Sequence, residues 1–110
     1  MEKNSIEAMI FEVKRRPTLY LTDDSINSLN SFLTGWMTRD VNTIIDLDII
    51  NQFQIWIQNK YNQDGGEKGW CSIILFYSVN GHTALKRFFE LFDDFISQRS
   101  ISPPAAVGKL

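Results

Sequence analysis

The chain has 110 residues, 44% hydrophobic and 22% charged, and its 11 Lys and Arg against 13 Asp and Glu leave a formal charge of −2. That length suits one domain with its own core, and eight Phe with three Trp supply bulky material for it. The charge balance lacks the basic stripe that neutralises phosphates, which argues against DNA or RNA as a direct ligand. The single cysteine, Cys71, excludes an internal disulfide and a Cys-rich metal framework and fits a reducing compartment.

The N-terminal segment MEKNSIEAMIFEVKRRP has neither the apolar core nor the cleavage site of a secretory signal. No run approaches the roughly 20 apolar residues needed to span a bilayer, so a soluble, cytoplasmic protein with no membrane contact is expected. Ser5 can cap a first helix carrying Ile6, Met9, Ile10 and Val13 at i, i+3, i+4 and i+7. Arg15 and Arg16 suit its C-terminal dipole, and Pro17 ends it. After the connector PTLYLTDD, Asp24 or Ser25 caps a second helix with Ile26, Leu29, Phe32, Leu33, Trp36 and Met37 in one stripe.

A third helix is predicted from Asp46 to Tyr61, with Leu47, Ile50, Phe53, Ile57 and Tyr61 on one face and Ile49 with Trp56 on an adjoining one. The glycines of NQDGGEKG, Gly65, Gly66 and Gly69, end it. The run WCSIILFYSV over 70–79 is a buried strand or a buried helix, and periodicity does not separate the two at that length. Helix is favoured, because the only other strand-like piece is Thr18 to Thr22. A last helix from Thr83 to Gln98 sets Leu85, Phe88, Phe89, Phe92, Phe95 and Ile96 against Glu90, Asp93 and Asp94 on the opposite side. The two prolines of SISPPAAVGKL and its lack of apolar period predict a flexible tail over 99–110, partly a cloning remnant. An all-α, single-domain bundle of about five helices over 1–98 is the resulting expectation.

Little in this chain points to catalysis. His82, the sole histidine, has no local nucleophile or metal companion. Cys71 lies in an apolar run, where burial suppresses thiolate formation. Asp23 with Asp24 and Asp46 with Asp48 read as charges at helix N-termini. No phosphate-binding Gly-rich loop is present, so no cofactor, metal or small-molecule substrate is expected and the chain reads as a non-enzyme. The Glu90, Asp93 and Asp94 group lies far from its helix N-terminus. A solvated polar face is the ordinary reading of such a run, although Lys86 and Glu90 can pair at i, i+4.

The succession KRRPTLYL, SINSLNSFLTGW, FQIWIQNKY, GWCSIILFYS and ALKRFFELFDDF, over about residues 6–96, resembles small bacterial immunity proteins of contact-dependent growth inhibition and related polymorphic toxin systems. Arg16-Pro17, Tyr20-Leu21 and the pairing of Trp70 with the FFELFDDF block carry most of it. The resemblance implies an antidote that binds a cognate toxin domain one to one. That toxin is expected to be a nuclease, whose basic surface an acidic inhibitor would meet by charge complementarity. Glu90, Asp93 and Asp94 are then the expected contacts, with Asp23, Asp24 and the edge of Tyr20 as secondary ones. Tyr20 also suits packing beneath the Pro17 turn. A helical adaptor unrelated to toxins is the alternative; a DNA-binding regulator would need a basic recognition helix, and a thiol enzyme a reactive Cys71.

Overall fold

In the computed structural model, which describes residues 5–39, 41–63 and 66–108 with the side chains of 41 and 100–108 excepted, Ser5 opens the first helix. Helix α1 spans Ile6–Arg15, and the Ser5 hydroxyl oxygen accepts the Ala8 N–H at 3.1 Å. Ile6, Ile10 and Val13 are buried along one stripe of it, as their spacing predicts. A second group reaches the same helix end from a distance. The Asp46 carboxylate accepts the Ile6 N–H at 2.7 Å, the Glu7 N–H at 3.1 Å and the Ser5 hydroxyl at 2.9 Å. Asp46 therefore stabilises α1, not the third helix at whose start the sequence placed it. Proximity in sequence pointed to its own helix, whereas the fold carries its loop to the exposed donors of another.

Pro17 starts a one-turn helix, α2 (Pro17–Tyr20), where its missing N–H costs nothing. The sequence reading placed a connector there, and its strand-like piece at Thr18 to Thr22 is no strand. Helix α3 (Ile26–Arg39) is capped by Ser25, whose hydroxyl oxygen accepts the Ser28 N–H at 3.2 Å. It buries Ile26, Leu29 and Leu33, with Phe32, Trp36 and Met37 half-buried against the core.

Helix α4 (Ile49–Lys60) begins three residues later than predicted and buries Ile49, Phe53 and Ile57, while Leu47 stays exposed ahead of it. It stops where Asn62 adopts φ 57°, a left-handed conformation that Asn tolerates better than most residues. Gly65, predicted to help end this helix, lies outside the described residues. The following loop is tied back by Gln54, whose amide donates to Lys68 O at 2.9 Å and accepts the Trp70 N–H at 2.6 Å. That second bond serves the start of α5 (Trp70–Phe76), where Gly69 has no side chain to offer. The ambiguous apolar run is thus a helix, shorter than its ten residues, burying Trp70, Ile73 and Ile74.

The last helix, α6 (Gly81–Gly108), starts two residues before the predicted Thr83 and is capped by Asn80, whose side-chain oxygen accepts the Thr83 N–H at 2.8 Å and the Thr83 hydroxyl at 2.9 Å. Gly81 lies close against the residue that caps α3, where a Cβ would meet Ser25 Cβ at 3.1 Å and require a shift of a few tenths of an ångström. Ala84, Leu85, Phe88, Leu91, Phe92 and Phe95 line the buried side of α6, while Phe89 and Ile96 are half-buried. Helical backbone runs on past residue 98 to Gly108, where the sequence predicts a flexible tail; Pro103 and Pro104 contribute no N–H to that stretch.

The six helices, five of them seven residues or longer, form one all-α domain with no strand among the described residues. None of them is long and apolar enough to cross a membrane. Phe53 stands at the centre, its ring 5.4–6.1 Å from those of Trp56, Trp70, Phe88, Phe92 and Phe95. This cluster holds α4, α5 and α6 together and leaves the far side of α6 to solvent.

Candidate partner-binding surface

Since Phe88, Leu91, Phe92 and Phe95 turn one side of α6 inward, helical geometry turns Glu90 and Asp94 outward, and both are exposed. Asp93, between them, is half-buried, and its Oδ2 takes the Lys14 ammonium at 2.6 Å, tying α6 to α1. The other ion pair joining a Lys or Arg to a carboxylate among the described residues is Arg15 with Glu12; Lys86 with Glu90 is not among them. Of the three predicted contacts on α6, two are carboxylates with no partner among the described residues and one is shared with an internal lysine.

The secondary group is engaged in the fold. Asp23 Oδ1 accepts the Ser25 N–H at 3.1 Å, the Ser25 hydroxyl at 2.6 Å and the Ser28 hydroxyl at 2.7 Å. These bonds, the Ser25 hydroxyl first and the Ser28 hydroxyl next, hold its carboxyl below the ordinary aspartate value. Glu12 is held low in the same way, chiefly by the Arg15 guanidinium. A carboxylate with a depressed pKa stabilises the fold above its unfolded pKa and loses that contribution as pH falls through its folded one. Stability should therefore decline as pH drops through and below about 4. The decline should be shallower in Asp23→Asn, as urea unfolding at stepped pH would show.

Asp24 Oδ2 lies 2.8 Å from His82 Nδ1, so this aspartate bridges the approach to α3 and the start of α6. Tyr20 donates a long 3.4 Å hydrogen bond to Glu12 Oε2, and its ring lies 5.5 Å from that of Phe32. Tyr20 and Asp23 line one shallow cleft with Ser28 and Phe32. From His82 to Glu90 the rise along α6 is about 12 Å. Asp24 thus stands roughly two turns from the acidic group, on a different part of the surface.

Sequence reasoning missed a cluster of exposed aromatics at the end of α5. Phe76 is 66% exposed and Val79 87%, with Tyr77 between them stacked on Tyr61 at 4.7 Å. Lys68 Nζ sits 4.6 Å from the Phe76 ring centroid. The signal was available: a helix of this length buries a stripe, so a run apolar on all sides must leave some of it outside. Phe11, 55% exposed on α1, was passed over likewise.

Burial pushes the Cys71 thiol up, and Sγ lies near Ile26 O (3.8 Å) and Asn27 Oδ1 (3.7 Å), neither of which is a base. Among the described residues no group of three or more His, Cys, Asp and Glu is placed to hold a metal ion. Comparison with protein-family models, with curated proteins and with solved structures yields no match to this chain.

Proposed function

We propose that the protein is a stoichiometric inhibitor of the immunity type, binding a basic protein, the toxin domain of a contact-dependent growth inhibition system, through the solvent-facing side of α6. The observation that supports this reading most directly is the exposure of Glu90 and Asp94, without an internal partner among the described residues, on a helix whose other side is committed to the core. Charges placed so steer encounter with an oppositely charged partner, while affinity comes from aromatic and charged anchors in the middle of the contact. Exposed Phe11, beside Asp93 in one cleft, is such an anchor. The resemblance of the chain to bacterial immunity proteins supplies the kind of partner.

Charge reversal at the two unengaged positions, Glu90→Lys with Asp94→Lys, tests the surface without touching an internal bond. Association with the toxin domain should slow about tenfold or more, and its ionic-strength dependence should flatten, with the thermal melt unchanged. Unaltered association by a folded variant would remove this face from the interface. Growth rescue of cells expressing the domain encoded immediately upstream separates an antidote from a general adaptor, which would give none.

A further inference from the structure

Helices α1 and α6 enclose a cleft of about 280 Å³. Phe11, Phe92, Ile96 and Ser97 line it, and Glu7 and Asp93 bring a carboxylate from each helix. Phe92 is buried, whereas Phe11 is more than half exposed, so the phenyl ring is open to a visitor. With an aromatic ring, two further apolar side chains and two carboxylates in its lining, the cleft complements a side chain that is apolar along its stem and cationic at its tip. The structure already seats such a group at its edge, where the Lys14 ammonium contacts Asp93 at 2.6 Å. Both partners of that pair are 43% exposed. Ion pairs this exposed are weak, so a competing cation displaces Lys14 at small cost.

We propose that this cleft receives an arginine side chain of a basic protein partner, with Lys14 giving up Asp93 as the guanidinium enters. The inference rests on the reading of the partner as a basic protein and adds the partner's side chain that meets the Phe11 anchor. Arginine is favoured over lysine because its planar guanidinium can stack on Phe11 while offering paired donors to the carboxylates. Phe11 supplies the aromatic contact and Phe92 with Ile96 the apolar bed for the methylene stem.

The test uses isotope-labelled full-length protein and the peptide acetyl-Gly-Leu-Arg-Leu-Gly-amide, followed by amide chemical shifts at low ionic strength. Shifts confined to Glu7, Phe11, Asp93, Ile96 and Ser97 are expected. Binding should weaken by about threefold or more in Phe11→Ala, in Asp93→Asn and with lysine in place of the peptide's arginine. Absent or scattered shifts, or equal shifts with glutamine in place of arginine, overturn the proposal. Concentration-dependent shifts at these residues without peptide overturn it too, and make a second copy of the chain the occupant. If the peptide fails while the upstream-encoded domain still binds, the cleft assignment falls and the inhibitor reading stands; the opposite pair of results removes the inhibitor reading alone.

Discussion

Phe53→Ala is expected to cost about 3–5 kcal/mol, the range for emptying a fully buried aromatic position. Phe53 has no solvent exposure, and its ring meets those of Phe88, Phe92 and Phe95 at 5.4–5.5 Å in edge-to-face arrangements. Two costs add: the transfer of the lost phenyl group to water and a cavity that three helices cannot close at once. A domain of this size is stabilised by about 5–15 kcal/mol in all, so the variant should lose between about a fifth and the whole of that margin. Phe53→Leu keeps most of the volume and should lose about 1–2 kcal/mol while remaining folded. Urea unfolding followed by circular dichroism ranks the two. Equal small losses would mean that the aromatic cluster is not the centre of the core.

Asp46→Ala is expected to cost about 2–3 kcal/mol, combining the loss of an N-cap with that of a negative charge at a helix N-terminus. The carboxylate serves two backbone N–H groups of α1 and the Ser5 hydroxyl, and among the described residues no other group reaches those two N–H donors. Asp48, two residues on, occupies the cap position of α4 but makes no side-chain cap bond there. Asp48→Ala should therefore stay within about 0.5 kcal/mol of the parent. This contrast is sharp, because reading both aspartates as caps of the third helix makes them equivalent. In a double-mutant cycle, Asp46→Ala and Ser5→Ala should couple by about 0.5 kcal/mol or more through their shared hydrogen bond. Additive losses would deny that the two residues act together at the start of α1.

The helices with one clean stripe were legible from residue spacing. Ile6, Ile10 and Val13 on α1, Ile26, Leu29 and Leu33 on α3, and Leu85, Phe88, Phe92 and Phe95 on α6 are buried as their periods predict. Spacing says nothing of what a loop residue meets from elsewhere in the chain, so it assigns Asp46 to α4, whereas its carboxylate serves α1. It also loses its power where a segment is apolar throughout, which is why the outward Phe76, Tyr77 and Val79 were read as interior. The six predicted contact residues divide along the same line. Glu90 and Asp94, on a strongly amphipathic helix, are exposed as expected. Asp93, Asp23, Asp24 and Tyr20 carry bonds to Lys14, Ser25, His82 and Glu12, partners that no local pattern discloses, except for the nearby Ser25.

The proposed inhibitor reading requires a stable complex in which this helical domain covers a basic surface, and on that reading steering by Glu90 and Asp94 would speed its formation without supplying most of its energy. Titration calorimetry between this protein and an inactivated form of the C-terminal domain encoded immediately upstream tests that claim most directly. One-to-one binding at about −12 kcal/mol or tighter is the expected result. Absence of heat across the titration, with both proteins folded, would contradict it.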